Sequence, residues 1–318
     1  MNGAVRWLTG TPGLAERKLA VWAEDGVSLA VRECGPTDAP VTVVLLHGHC
    51  LGAESWSPVS GDLMRRNADV RIVCYDHRGH GASAEAPAET YTLEQLARDL
   101  HMVLRAVAPT GPVVLVGHSM GGMTILTYAR AHPDEIGSRI VGVGLIATTA
   151  SGLADDGLGR LLCEPVLSWF QALVGRAPTS MERVKRLGCR VFAPVIGGVE
   201  FGNRTVSHRV LAQAIGMHER TPIVTMAGFL NSFLTHDESR TVPALSAVPT
   251  LVLCGSADVV IPPAHSVAIA AQLENCDFVC VDGAGHSVIL EQPAPVADAI
   301  ARLVTRLPAS GIGAAHVA

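Results

Sequence analysis

The sequence contains no long apolar run and no excess of positive charge. No stretch of its 318 residues approaches the roughly 20 apolar residues that a helix needs to cross a bilayer, and the first residues lack the apolar core of a signal peptide. The 24 lysines and arginines are outnumbered by 29 aspartates and glutamates, which gives a net charge of −5. We therefore expect a cytoplasmic protein without a membrane span, whose partner is a small molecule and not a nucleic acid.

The sequence also lacks the residue spacings that hold metal ions. Neither C-x-x-C nor H-E-x-x-H occurs, and the 13 histidines are scattered without the spacing of a ligand set. Several of the eight cysteines lie inside apolar runs, as Cys74 and Cys254 do, where a buried thiol behaves as a small hydrophobic side chain. We expect neither a metal site nor a cofactor.

Short apolar runs alternate with helical patterns along most of the chain. A polar and apolar alternation around Asp25-Gly26 predicts a hairpin over residues 18–34, and the unbroken run VTVVLL after Pro40 is typical of a strand covered on both faces. Helical spacing over residues 92–107 follows a further strand pattern, with Thr92 as the predicted cap. This alternation predicts an α/β fold, with a mostly parallel central sheet and helices on both faces.

The distribution of strand and helix patterns divides the chain into regions. Helical patterns replace the alternation in the middle of the chain, and we interpret that stretch as a cap over the carboxyl ends of the strands. The predicted regions are an N-terminal extension (1–17), a core domain (18–150 and 238–308), a helical cap insertion (151–237) and a frayed C-terminal tail (309–318).

The clearest chemical signal lies within residues 112–128, PVVLVGHSMGGMTILTY. A β-branched run meets the G-x-S-x-G pattern and passes directly into a helical pattern, which is the strand, turn and helix context of a nucleophilic serine. A turn this sharp leaves little room beside the serine, which explains Gly117 and Gly121. Ser119 is the predicted nucleophile at the tip of the turn. The backbone N–H of Met120 would face an oxyanion that forms there.

A serine nucleophile needs a base and an acid, and two residues lie where a parallel sheet would supply them. Asp258 follows the strand pattern TLVLCG, and His286 follows the pattern FVCVD. Loops at the carboxyl ends of parallel strands converge on one crevice, so these residues can meet Ser119 despite their separation in sequence. We predict that His286 accepts the proton of Ser119 while Asp258 orients the imidazole, with the backbone N–H of His49 as second oxyanion donor.

Five segments together resemble the α/β-hydrolase superfamily: HGHCLGAESW, YDHRGHGAS, GHSMGG, GSADVVIPP and GAGHSVILEQP. The resemblance covers Lys18 to Leu307 and implies an α/β-hydrolase fold with the residue roles given above. Capped esterases, lipases and C–C hydrolases share this spacing, as does the cofactor-free haloperoxidase branch. Haloalkane dehalogenases and epoxide hydrolases of the superfamily carry an aspartate where this chain has Ser119, so reaction through an aspartyl ester is disfavoured.

Other polar residues near these motifs have alternative interpretations. His47 and His118 flank the predicted site, and hydrogen bonds that orient its loops are the favoured role, with a place in the substrate pocket as the alternative. Asp76 and Arg78 are expected to form a structural pair in a turn. Asp155-Asp156 follows another strand pattern and could replace Asp258 as the acid, although the G-S-A-D-x-x-x-P setting favours Asp258.

The cap sequence bears on the substrate. It is rich in Leu, Val and Phe and has few charges, which implies an apolar substrate portion, and Phe229 and Phe233 are the predicted aromatic pocket members. We therefore predict a serine hydrolase that cleaves a carboxylic ester or related acyl compound through an acyl-enzyme on Ser119. A C–C bond hydrolase, an acyltransferase or a perhydrolase would use the same triad. A small-molecule receptor is the alternative from another class.

Overall fold

The computed structural model describes residues 16–66, 69–155, 157, 164–191, 193–202 and 206–308. Within these residues, eight strands form one sheet in the order β1-β2-β4-β3-β5-β6-β7-β8. The strands are β1 (Arg17–Trp22), β2 (Ser28–Cys34), β3 (Val41–Leu46), β4 (Val70–Tyr75), β5 (Val113–His118), β6 (Ile140–Ile146), β7 (Thr250–Gly255) and β8 (Cys276–Val281). Strands β1 and β2 form the predicted hairpin, and β2 also pairs antiparallel with β4. The other pairings are parallel, so the predicted mostly parallel sheet is confirmed.

Helices cover both faces of this sheet. The α-helices are α1 (Ser57–Arg65), α2 (Leu93–Val107), α3 (Met120–Ala131), α4 (Glu164–Arg176), α5 (Pro178–Val191), α6 (Ala193–Glu200), α7 (His208–Arg220), α8 (Ile223–Gly228), α9 (Leu230–Leu234), α10 (Pro263–Ala270), α11 (Val288–Glu291) and α12 (Pro293–Thr305). Helix α2 begins after Thr92, whose side chain accepts a hydrogen bond from the N–H of Gln95, as the sequence predicts for a helix cap.

Alternation of side chains along the buried strands divides the interior into two layers. Val44 and Leu115 pack in one cluster with α2 and α3, while their neighbours Val43 and Val114 pack in another with α1 and α12. Strands β3 and β5 are buried along their whole length because both faces of the sheet are covered by helices. The central strands are thereby held rigidly, and the residues that follow them emerge at one edge of the sheet.

Helices α4 to α9 lie between β6 and β7, in the stretch predicted to be a helical cap. They pack on one another, and hydrogen bonds join them to α2 and to the segment that precedes α11. The N–H of Leu93 donates to Ser232 Oγ at 2.9 Å, and the N–H of Ser287 donates to the carbonyl of Glu200 at 2.8 Å. In the described ranges, no helix is both long enough and apolar enough to cross a membrane. The predicted regions 1–17 and 309–318 lie largely or wholly outside the described residues.

Candidate active site

Ser119 occupies a strained turn between strand β5 and helix α3. Its φ of 52° and ψ of −117° place it in a backbone region that side-chain-bearing residues rarely adopt. Four hydrogen bonds hold this conformation. The N–H of Ser119 donates to the carbonyl of Ile146 at 2.9 Å. The carbonyl of Ser119 accepts from the N–H groups of Gly122 and Met123 at 2.8 and 3.1 Å and from the Thr148 hydroxyl at 2.7 Å. The turn therefore fixes where the Ser119 hydroxyl lies.

The two glycines of the motif are required by close backbone approach. A Cβ added to Gly117 would overlap the backbone of Gly121, and one added to Gly121 would overlap the carbonyl group of Leu46 on the neighbouring strand β3. Both positions therefore exclude any side chain, for the steric reason that the sequence predicts.

The structure brings Ser119, His286 and Asp258 together in one hydrogen-bonded chain. His286 Nε2 lies 3.0 Å from Ser119 Oγ, and His286 Nδ1 lies 2.9 Å from Asp258 Oδ2. The other carboxylate oxygen of Asp258 accepts the N–H groups of Val260 and Ile261, each at 2.9 Å. With both of its oxygens engaged, Asp258 holds the proton on Nδ1 and leaves Nε2 free to accept the serine proton.

These three residues are almost inaccessible to solvent. Ser119 is 8 % exposed, His286 6 % and Asp258 3 %. Burial alone would lower the pKa of His286, but the charge and hydrogen bond of Asp258 outweigh it and raise that pKa above the ordinary value, with Glu200 acting in the same direction. Imidazolium formation at His286 is thus stabilised, which is what a base that takes a serine proton requires.

The predicted oxyanion donors adjoin the serine. His49 follows strand β3, and the preceding Gly48 approaches so closely that an added Cβ would lie 3.2 Å from Ser119 Cβ. Met120 is the first residue of α3, where backbone N–H groups have no partner within the helix. Neither the N–H of His49 nor that of Met120 donates to another backbone group in the described part of the chain. Both remain available to a developing negative charge.

Neutral histidines support the loop that carries His49. His47 Nδ1 donates to the carbonyl of Gly48 at 2.7 Å, while its Nε2 accepts the N–H of His77 at 2.9 Å. His80 Nδ1 donates to the carbonyl of Arg78 at 3.0 Å, and its Nε2 accepts the N–H of Cys50 at 3.2 Å. Burial lowers the pKa of His47 and of His80 to about 3. Both rings are therefore neutral, since each uses one nitrogen as donor and the other as acceptor.

His118 ties the serine turn to the loop of His286. Its Nε2 donates to the backbone carbonyl of His286 at 2.9 Å, and burial lowers its pKa to about 4. Its Nδ1 lies so near Gly48 that a Cβ there would approach within 2.7 Å. The favoured prediction for His47 and His118, that they orient loops by hydrogen bonds, agrees with these contacts.

A cavity of about 270 Å³ lies beside Ser119 and His286. Its apolar lining residues are Met120, Met123, Leu153, Leu230, Phe233, Val260 and Ile261. Of the four predicted pocket residues, only Phe233 lines this cavity. Phe229 is fully buried and stacks on Phe233, with 6.0 Å between the ring centroids, and His47 and His118 are buried without lining the cavity. The wall itself offers a substrate mainly hydrocarbon and thioether surface.

Two polar lining residues were not predicted as site residues. Glu200 at the end of α6 and His218 in α7 line the same cavity. Helical periodicity in the sequence does not show which face of α6 or α7 lines the cavity. Glu200 is positioned by its backbone hydrogen bond with Ser287, and His218 by the packing of α7 on α5 and α6.

The predicted pairing of Asp76 with Arg78 is wrong. Arg78 is fully buried and pairs with Asp99, at 2.7 Å from each carboxylate oxygen, and with Asp25 at 2.8 Å. Asp76 instead accepts backbone N–H groups, including that of Ala53 at 2.6 Å. Both residues are structural, but their partners are remote in sequence because the turn faces the hairpin and α2.

The acid that contacts His286 is Asp258. Asp155, which the sequence left as an alternative, lies in a turn where its N–H donates to the carbonyl of Gly152 at 3.0 Å. Asp156 lies outside the described residues.

Known proteins resemble the chain over most of its length. It is 26 % identical over 288 residues to proline iminopeptidase PfmaB of Pestalotiopsis fici, covering 84 % of this chain and 92 % of that protein. It is also 26 % identical over 265 residues to the sn-1-specific diacylglycerol lipase ABHD11 of Mus musculus, covering 81 % and 79 %. A thermophilic esterase from Thermogutta terrifontis superposes with a TM-score of 0.72 at 27 % identity, covering 91 % and 98 %. The model of the alpha/beta hydrolase family matches residues 43–299, and the chain belongs to this family.

Proposed function

We propose that this protein is a serine hydrolase that cleaves a carboxylic ester with an apolar portion through an acyl-enzyme on Ser119. The observation that carries this proposal is the hydrogen-bonded chain from Ser119 through His286 to Asp258 at the wall of an apolar cavity. Esterases and lipases among the related proteins support the same class of substrate.

The proposed reaction follows from the positions of these groups. As Ser119 Oγ attacks the ester carbonyl carbon, its proton passes to His286 Nε2, and the carbonyl oxygen takes up negative charge between the N–H groups of Met120 and His49. His286 then gives the proton to the departing alcohol oxygen, which leaves the acyl group on Ser119. Water attacks the acyl-enzyme by the same route in reverse, with His286 as base, and releases the acid.

The apolar portion of the substrate is inferred from the cavity. Burying a methylene group against its Met, Leu, Val, Ile and Phe side chains contributes about 0.8 kcal/mol. Each added methylene should therefore raise kcat/KM by about fourfold until the cavity is filled, after which further length should lower it.

The test is the hydrolysis of p-nitrophenyl esters of increasing acyl length. We expect kcat/KM to peak at one length, and Ser119→Ala to lower kcat by about 10⁴-fold or more at that length. Ser138→Ala is the matched control, since this exposed hydroxyl donates to the carbonyl of Asp134 away from the cavity, and it should retain full activity. Equal turnover by wild type and Ser119→Ala would refute the proposal.

A further inference from the structure

The cavity has a polar region that the proposed reaction does not use. Apart from the reacting groups, its wall includes the side chains of Glu200 and His218, which the inserted helices α6 and α7 contribute. No hydrogen bond joins either of them to Ser119 in the described part of the chain, and each is largely buried, with 15 % and 14 % of the side chain exposed. Burying a carboxylate and an imidazole at a mostly apolar wall without polar partners is costly, so their presence there points to a polar ligand.

Glu200 is fixed in place and negatively charged. The hydroxyl of Ser287 donates to Glu200 Oε2, and the N–H of Ser287 donates to the Glu200 carbonyl at 2.8 Å. Burial alone would raise the pKa of Glu200, but His218, His286 and the hydroxyl of Ser287 outweigh it and lower that pKa to about 2. The cavity wall therefore contains a carboxylate charge at neutral pH.

The second oxygen of Glu200 and the imidazole of His218 attract each other but do not form a well-aligned hydrogen bond. Glu200 Oε1 lies 3.4 Å from His218 Nε2. That nitrogen is buried and has no hydrogen-bond partner among the described residues. The carboxylate can only accept a hydrogen bond, and it favours the tautomer of His218 that carries its proton on Nε2. An acceptor and a donor thus lie side by side at the cavity wall.

One common functional group matches both atoms at once. A hydroxyl can donate its proton to Glu200 Oε1 while its oxygen accepts from His218 Nε2. A methyl group would leave both atoms desolvated and unpaired, and a carboxylate would meet the charge of Glu200. We propose that Glu200 and His218 form a subsite for a hydroxyl group on the substrate, so that this protein prefers hydroxylated esters and rejects anionic ones. The inference rests on the proposed esterase function.

The test compares esters that differ at one atom or group. We would measure kcat/KM by proton release for ethyl hexanoate, its 3-hydroxy, 5-hydroxy and 6-hydroxy derivatives, and monoethyl adipate, which ends in a carboxylate. For the wild type we expect one hydroxy ester to be favoured over ethyl hexanoate by about tenfold, and monoethyl adipate to be disfavoured by at least as much. In Glu200→Gln, and in His218→Phe, the hydroxyl preference should fall to about twofold or less. In Glu200→Gln the penalty on the adipate ester should shrink as well.

A matched control separates the subsite from the neighbouring loop. Glu291 accepts the N–H groups of Gly202 and Gly285 at 3.1 and 2.8 Å but does not line the cavity. Glu291→Gln is the same chemical change close to the same segment, and it should alter all five esters alike, leaving their ratios unchanged. Loss of selectivity in this control equal to that in Glu200→Gln would overturn the subsite.

A binding measurement keeps the subsite independent of turnover. The dissociation constants of the same five esters would be measured by calorimetry on Ser119→Ala, with and without Glu200→Gln. If the wild type cleaves none of them but Ser119→Ala still prefers a hydroxy ester through Glu200, the esterase proposal fails and the subsite stands. If the esters are cleaved or bound without preference for any hydroxy ester, or with a preference that survives Glu200→Gln, the subsite proposal is wrong.

Discussion

Mild acid should unfold this protein through four buried histidines before its carboxylates are protonated. His47, His77, His80 and His118 are each no more than 1 % exposed. Burial lowers the pKa of every one, to about 3 for His47 and His80, to about 4 for His118, and well below the ordinary range for His77. In the unfolded chain each returns to a pKa near 6.5. Through these four residues alone, the unfolded state binds up to four more protons than the folded state as the pH falls below about 6.

The sign and size of the effect follow from this difference in bound protons. Stability falls with falling pH wherever the unfolded state binds more protons, by about 1.4 kcal/mol per pH unit for each histidine. At pH 5 each of the four therefore removes about 2 kcal/mol relative to neutral pH, and together they remove about 8 kcal/mol. This is comparable with the whole stability of a typical domain, about 5–15 kcal/mol.

Burial also lowers the pKa of His49, His101 and His236, which therefore add to the loss of stability in the same pH window. Groups with other shifts act in different windows. The raised pKa of His286 stabilises the folded state, but this contribution is complete once the pH falls below the unfolded value near 6.5, so it does not oppose further loss. Carboxylates with lowered pKa values, Asp25 and Glu200 among them, destabilise the fold only as the pH falls below about 4.5. The interval between pH 6.5 and 4.5 thus isolates the histidines.

The assay is urea unfolding followed by circular dichroism at constant ionic strength, from pH 8 to pH 4.5. His77→Gln tests the assignment, because it removes one neutral ring whose nitrogens have no hydrogen-bond partner in the described part of the chain. It should reduce the slope below pH 6 by about 1.4 kcal/mol per pH unit. His208→Gln changes an exposed histidine and should leave the slope unchanged. A free energy of unfolding that differs by less than about 2 kcal/mol between pH 7 and pH 5 would refute the reasoning.

Three further outcomes follow from the structure. Gly121→Ala should destabilise the fold by about 2 kcal/mol or more and abolish activity, because its Cβ would overlap the carbonyl group of Leu46; unfolding and turnover measurements of the variant check this. The kcat/KM for a p-nitrophenyl ester should rise with pH through an inflection above 6.5, since only neutral His286 accepts the serine proton; a pH profile with a flat acid limb would contradict it. Asp99→Ala should lower the free energy of unfolding in urea by about 3–5 kcal/mol, because it leaves Arg78 charged and buried. Asp25→Ala, at the half-buried end of the same network, should lower it by less.

The residues that sequence reasoning located are those whose position depends on a strand end. Ser119, Asp258 and His286 each follow a parallel strand, and the parallel arrangement brings such positions to one edge whatever lies between them in sequence. The mistaken pairing of Asp76 with Arg78 shows the opposite case. Arg78 pairs with residues 21 and 53 positions away, and no local pattern contains that information.

The region predicted as a cap shows a second limit on predicting site residues from sequence. Phe229 and Phe233 are four residues apart and were predicted together as pocket members, yet only Phe233 lines the cavity, while Phe229 is fully buried and stacks on it. Glu200 and His218 come from helices whose apolar periodicity predicts a buried face without saying against what it is buried. Their meeting beside Ser119 depends on tertiary packing. The boundaries of the cap itself stay a prediction.

Hydrogen bonds join the end of α6 to the backbone of the loop that carries His286, the proposed base. This connection determines how the inserted helices can affect catalysis. One oxygen of Glu291 accepts both Gly202, after α6, and Gly285, before His286, and the two glycines approach so closely that neither leaves room for a side chain. Glu200 adds its own bonds to Ser287 on the other side of His286. The end of α6 cannot move away without disturbing the loop that aims His286 at Ser119. A substrate group that fixes the position of Glu200 therefore also fixes the position of His286. Binding energy at the proposed hydroxyl subsite would thus act on kcat as well as on KM.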